Sequence, residues 1–123
     1  MEIRSKFWIE NKGEVVVGSG KTALLLAVDR LGSIQRAAEE FGMSYRHAWG
    51  AIQRIEQRAG FKMVETKLGG RDRGARLTPR GKAFVKALDA LFEDLRATVE
   101  KGFQRKLRSF ADMEGGCHAA VGK

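Results

Sequence analysis

Arg46, Gly50, Gln53, Arg54 and Gln57 are spaced so that a helix turning about 100° per residue would place them on one face. Apart from the bare glycine, every side chain in the set can form hydrogen bonds, and none is acidic. An arginine fork matches the O6 and N7 acceptors of guanine, and a glutamine amide matches the N6 and N7 pair of adenine. The chemistry such a set suits is the reading of base edges, with Arg46 and Gln53 as readers. Gly50 would let the helix backbone sit deep in a groove. Arg54 suits a phosphate as well as a base, and His47 lies at the margin of the face. Ser44 and Tyr45 stand at the N-terminal end, where either would meet a phosphate and Tyr45 a base. The competing reading is a solvated face on a core helix.

The elements needed to present this face are written around it. Ala48, Ile52, Ile55 and Ala59 form an apolar stripe on the opposite side, and Trp49 falls between the two as half-buried packing. Ser44 suits the N-cap of this helix, and Gly60 ends it. Ser33 caps a shorter helix running to Phe41, with Gly42-Met43 as the turn between. Ala37 and Ala38 are small where the two helices would cross. Residues 33–60 therefore spell a helix-turn-helix, whose second helix enters the major groove of DNA.

Other elements flank this core. Ile3, Phe7 and Ile9 alternate with Arg4, Lys6 and Glu10, Asn11-Lys12-Gly13 supplies a turn, and Val15–Val17 returns, which predicts an N-terminal β-hairpin. Leu24, Leu25, Val28 and Leu31 predict a helix over 20–31, ended by Gly32. Residues 63–67 and 75–77 are short extended runs around a basic, glycine-rich tip. Lys67, Arg71, Arg73 and Arg76 make this second hairpin a wing suited to the DNA backbone or minor groove. Thr78-Pro79 opens a last helix. Its apolar residues, Phe84, Leu88, Phe92, Leu95, Val99, Phe103, Leu107 and Phe110, recur at about 3.7 residues. A stripe that long exceeds what one small core covers, so Leu88, Phe92, Leu95, Val99 and Phe103 are expected to pair two chains.

Bulk properties agree. The 123-residue chain carries 23 basic and 15 acidic side chains, a net charge of +8. This favours a polyanionic partner, nucleic acid ahead of an anionic membrane surface. Cys117 is the lone cysteine, so no intrachain disulfide forms. With no signal-peptide pattern and no apolar run long enough to span a bilayer, the expectation is a cytoplasmic chain without membrane association.

Two motifs imitate other chemistry. Gly18-Ser19-Gly20-Lys21-Thr22 resembles a phosphate-binding loop, but Val15 stands where its first glycine belongs. Lys21 at a helix start is more simply a DNA-phosphate contact. Cys117-His118 lacks enough companion ligands for a zinc site. No nucleophile, base and orienting group can be assembled, so no enzyme is expected.

Gly20-Lys-Thr-Ala-Leu-Leu-Leu-Ala-Val-Asp-Arg-Leu-Gly-Ser-Ile, then Ala37-Ala38, Gly42-Met-Ser-Tyr-Arg and Ala48-Trp49, resemble the N-terminal DNA-binding domain of the ModE family of molybdate-responsive regulators. Gly69-Gly70, Arg73-Gly74-Ala75 and Leu77-Thr78-Pro79-Arg80-Gly81 extend the resemblance through the wing, so that it covers about residues 15–100. The helix-turn-helix is also similar to that of LysR-type regulators. The resemblance implies a mostly α fold with small β, a winged helix-turn-helix that dimerises on a pseudo-palindromic operator in double-stranded DNA. The expected divisions are residues 1–78 for the DNA-binding domain, 79–111 for the dimerisation helix and 112–123 for a disordered tail. In that family molybdate binds separate C-terminal domains. The reading therefore places no cofactor within this chain and looks to a separate protein or another effector for the signal. The alternatives are a sequence-indifferent architectural DNA binder and an adaptor that binds protein through the long helix.

Overall fold

The computed structural model describes residues 1–66 and 74–121. Its elements run β1 (Trp8–Asn11), β2 (Glu14–Gly18), α1 (Ser19–Leu31), α2 (Ile34–Glu40), α3 (Tyr45–Ala59), β3 (Val64–Thr66), β4 (Ala75–Leu77) and α4 (Pro79–Val121). They fall into two compact units, Lys6–Ala90 and Met1–Ser5 with Leu91–Lys123. The architecture is the expected one: mostly helical, with a hairpin ahead of the helix-turn-helix and a second after it.

In the larger unit, β1 and β2 pair antiparallel around a two-residue turn. Lys12 (φ 54°) and Gly13 (φ 81°) both take the left-handed conformation, the combination whose twist suits a tight hairpin. The first strand is shorter than its alternation suggested. It begins at Trp8, which leaves Ile3 exposed and outside it. The register also shifts between Ile9 and Glu10, so strict alternation does not carry through the pairing.

The core is built from one face of each helix. Leu24, Leu25 and Val28 of α1, Ile34, Ala37 and Ala38 of α2, and Ala48, Ile52 and Ile55 of α3 are buried. Val17, Met63, Leu77 and Val85 close it. Each large aliphatic side chain among them contributes about 1.5–3 kcal/mol by leaving water. Gly32 ends α1, and its carbonyl accepts the Ala75 N–H at 3.0 Å, which ties the wing to the first helix. Arg30 forks the Glu40 carboxylate at 2.6 and 3.4 Å, joining α1 to α2. That hydrogen bonding holds the Glu40 carboxyl below the usual carboxylate range. Its small stabilising effect is present above the ordinary glutamate pKa and is lost as pH falls through the lowered one.

The last helix, α4, has residues 79–90 in the larger unit and its remainder in the second. Gly102 lies inside the helix, and so do residues 112–121, where the sequence suggested a disordered tail; residues 122–123 lie outside the described set. Past Pro79 no proline removes a backbone donor, and Ala111, Met113, Glu114, Ala119 and Ala120 favour helix against the glycines. The expected pairing stripe divides in two. Leu88 (6% exposed) and Phe92 (2%) are already buried within the single chain. Leu95, Val99 and Phe103 are half-buried, while Leu91 (43%) and Phe110 (57%) face outward. The apolar residues of α4 that the chain leaves partly or wholly uncovered are thus Leu91, Leu95, Val99, Phe103, Leu107 and Phe110, and not the first two residues of the expected set.

Candidate nucleic-acid interface

α2 and α3 each start at a cap the sequence anticipates. The Ser33 hydroxyl accepts from the Arg36 N–H at 3.1 Å, and the Ser44 hydroxyl accepts from the His47 N–H at 3.0 Å. Gly42 takes φ 67°, a conformation that a Cβ penalises, and Met43 N–H returns to Ala38 O at 3.0 Å. Replacing Ser44 by alanine is expected to cost about 1 kcal/mol of stability, read by denaturant unfolding. An unchanged midpoint would show that the cap adds nothing.

These contacts aim α3. Ala48, Ala51, Ile52 and Ile55 turn inward; Ala59, placed in that stripe by the sequence, is half-buried and Ala51 takes the buried place instead. Tyr45, Arg46, His47, Gln53, Arg54 and Gln57 are exposed, and Trp49 and Gly50 are half-buried between the faces. The side chains of Tyr45, Arg46, Gln53, Arg54 and Gln57 have no hydrogen-bond or ion-pair partner among the described residues. A row of unspent donors and acceptors on one face is what an external partner with polar edges requires.

Beside this face lies an open hollow of about 560 Å³, lined in part by Gly50, Gln53, Arg54, Gln57, Phe61 and Lys62. A Cβ built on Gly50 would come no nearer than 3.6 Å to the Arg54 Nη1, so the chain's own packing does not require glycine there. Among the described residues Glu56 is the one acid lining the hollow, and its charge is engaged. It accepts from Met63 N–H (2.9 Å) and Val64 N–H (3.1 Å) and lies 3.8 Å from Lys62 Nζ. The hollow thus keeps the positive character that Arg54 and Lys62 give it.

The remaining sequence-predicted contacts are placed unevenly. Lys21 sits in the first turn of α1, half-buried, behind a Gly18 N-cap that supplies no side-chain acceptor. β3 and β4 form the expected wing in register Val64↔Leu77, Glu65↔Arg76 and Thr66↔Ala75. Arg76, proposed for phosphate, donates its Nε–H to Glu65 at 2.8 Å across that ladder. Lys67, Arg71 and Arg73 lie outside the described residues.

Three features escaped the sequence reading. Phe61 packs edge-on to Phe84 (5.5 Å) and carries the Arg80 guanidinium over its face at 4.2 Å, joining the α3–β3 connection to α4. Asp29 of α1 accepts the Leu77 N–H at 3.0 Å and pairs with Lys82 at 3.4 Å. Asn11 donates to Arg58 O at 2.8 Å and Arg58 donates to Val15 O at 2.9 Å, which seats the first hairpin on the C-terminal end of α3. Each joins residues far apart in sequence, where no local pattern signals it.

A capped helix-turn-helix with an unspent polar face, followed by a two-stranded wing, defines a winged helix-turn-helix DNA-binding domain. Residues 21–82 match the bacterial regulatory helix-turn-helix protein, lysR family, and the chain belongs to that family. It is 36% identical over 95 residues to the molybdenum-pterin-binding protein MopB of Rhodobacter capsulatus, covering 76% of this chain and 32% of that protein. It is 33% identical over 94 residues to the molybdenum transport protein ModE of Azotobacter vinelandii, covering 76% and 33%. It is 35% identical over 72 residues to the DNA-binding transcriptional dual regulator ModE of Escherichia coli, covering 58% and 28%. The resemblance to ModE drawn from the sequence is thus matched by ModE proteins themselves, and the chain spans about a third of the length of these relatives. Among solved structures, the CbnR DNA-binding domain in complex with DNA superposes with TM-score 0.56 at 22% identity, covering 68% of this chain and 91% of that one. The BenM DNA-binding domain on catB site 1 DNA gives 0.54 at 21% identity, covering 73% and 93%. At those identities the likeness establishes the fold.

Proposed function

We propose that this protein is a sequence-specific transcription regulator of the cytoplasm that binds a pseudo-palindromic operator as a homodimer. The observation that carries the reading is the face of α3, where exposed Tyr45, Arg46, Gln53 and Arg54 have no partner within the described chain. Tyr45, Arg46, Gly50 and Gln53 approach bases. Lys21, Ser44, His47, Arg54 and the wing residues Lys67, Arg71, Arg73 and Arg76 hold the backbone. The relative named for DNA binding and the neighbours solved on DNA support DNA as the partner, while the residue roles rest on the exposed face of α3. The exposed stripe of α4 supports the dimer, which would place half-sites roughly 34 Å apart or a multiple of it.

Selection of bound duplexes from a random pool, at a stated salt concentration, tests the reading. A consensus with two-fold symmetry is expected. A ratio of specific to random binding near one would overturn it in favour of an architectural binder, and a monomer in sedimentation equilibrium on and off DNA would remove the dimer.

Two substitutions probe the parts separately. Gly50→Ala is expected to leave the fold intact or stabilise it by about 0.5–1 kcal/mol, since a mid-helix glycine is unfavourable. It should nonetheless weaken DNA binding, because the added methyl lies in the face that meets the groove. Unchanged affinity would remove Gly50 from the interface. Replacing Arg71 and Arg73 by alanine should flatten the plot of log affinity against log salt by about 0.9 units for each lost phosphate contact. An unaltered slope would take the wing off the DNA.

A further inference from the structure

The root of the wing is gripped by two carboxylates that belong to helices. Oε2 of Glu56, on α3, accepts from Met63 N–H at 2.9 Å and Val64 N–H at 3.1 Å. Oδ1 of Asp29, on α1, accepts from Leu77 N–H at 3.0 Å. Val64 and Leu77 are register partners, facing each other across the β3–β4 ladder. At this rung, then, each strand sends its N–H away from the other strand and onto a helix carboxylate. Met63, Val64 and Leu77 are all buried, so their N–H groups would be orphaned without these acceptors. The opposite oxygens complete the grip, Glu56 Oε1 toward Lys62 and Asp29 Oδ2 toward Lys82. An ionised acceptor makes each of these bonds stronger than one to a neutral acceptor.

We infer that Glu56 and Asp29 are positioning residues that set the direction in which the wing leaves the helix-turn-helix and so decide how many phosphates it reaches. The inference rests on the proposed contact between wing and DNA backbone. Glu56 belongs to the same helix as Gln53 and Arg54, so the base-reading face and the wing share one rigid joint. Removing the carboxylate leaves β3 joined through its ladder to β4 and through the Thr78 bonds to Lys62 O and Met63 O. The β3–β4 root then loses its seat on α3, the proposed phosphate contacts weaken, and the proposed base contacts of α3 remain.

The test is the salt dependence of binding to one operator duplex, measured for the wild-type chain, the Arg71→Ala/Arg73→Ala pair, Glu56→Ala, and Glu56→Ala added to the arginine pair. The arginine pair should lower the slope by about two units. Glu56→Ala should lower it by about one or more, add nothing in the arginine-free background, and keep the ratio of specific to random binding within about twofold of wild type. Glu56→Gln keeps an acceptor for both N–H groups and should restore the slope. A slope lowered by the arginine pair but untouched by Glu56→Ala overturns the inference and leaves the wing reading standing. A slope untouched by either removes both. Loss in Glu56→Gln equal to that in Glu56→Ala would make the effect one of net charge and overturn the joint, as would a specificity ratio that collapses with the slope. Should Glu56→Ala not fold, Asp29→Ala decides on the same readout.

Discussion

Replacing Gly81 by alanine is expected to destabilise the protein by about 2–3 kcal/mol, although alanine is the better helix former by about 1 kcal/mol. A Cβ at this position would stand 2.5 Å from Met63 O, 2.9 Å from Met63 Cα and 2.9 Å from Thr78 Oγ1. Two of the three are backbone, so relief requires α4 to retreat from the strand. The retreat strains a set of bonds at the same place. Thr78 N–H donates to Met63 O at 2.8 Å, Thr78 Oγ1 donates to Lys62 O at 2.8 Å, and Gly81 N–H donates to Thr78 Oγ1 at 2.9 Å. At roughly 4–8 °C per kcal/mol for a domain of this size, the melting temperature should fall by roughly 10–20 °C. Gly102→Ala is the matched control. It lies in the same helix with nothing within 4 Å of its Cβ position, so the ordinary helix preference should prevail and the protein should gain stability. Calorimetry showing the same sign for both substitutions would refute the steric argument.

The second large effect falls on recognition. On the proposed base-reading role, Arg46→Ala should weaken binding to the preferred duplex by about 1–3 kcal/mol, roughly 5- to 150-fold, and relax preference at one base position for each copy bound. Arg46 is exposed in the first turn of α3 and has no partner among the described residues, so the folded state loses nothing when it is shortened. Thermal stability should stay within about 0.5 kcal/mol of wild type, which separates reading from folding. Binding profiles over a library of operator variants distinguish the roles. A loss uniform across all sequences would make Arg46 a phosphate contact.

Much of this architecture could be read from local pattern. Caps and stops are written in one or two residues, so Ser33, Ser44 and Gly32 marked their helices within a residue of where they lie. The inward stripe of α3 follows from helical period alone, and Ala51 escapes it because its position lies about 60° from Ala48, at the edge of the stripe. What escaped was non-local. Glu56 reads as an ordinary acid on the flank of an amphipathic helix until β3 is seen delivering two N–H groups to it. Gly81 is visible in a Leu-Thr-Pro-Arg-Gly run, but the reason for glycine is the backbone of Met63, 18 residues upstream in the chain. Likewise Arg76 counted as a free positive charge, because pairing with Glu65 depends on wing register. The long apolar stripe of α4 was correctly seen, yet which of its residues the chain keeps for itself is a matter of tertiary packing.

The seating of the first hairpin on α3 bears on the thermodynamics of association. The helix proposed to face the bases, α3, is closed at its start by Ser44, and at its end Asn11 donates to the Arg58 carbonyl while Arg58 itself anchors to Val15. Neither terminus is left to fray, so little backbone disorder remains for DNA to remove. Binding by such a preorganised element loses less conformational entropy than binding by one that folds on contact. Its heat-capacity change should then track the surface that is buried, without the excess that coupled folding adds.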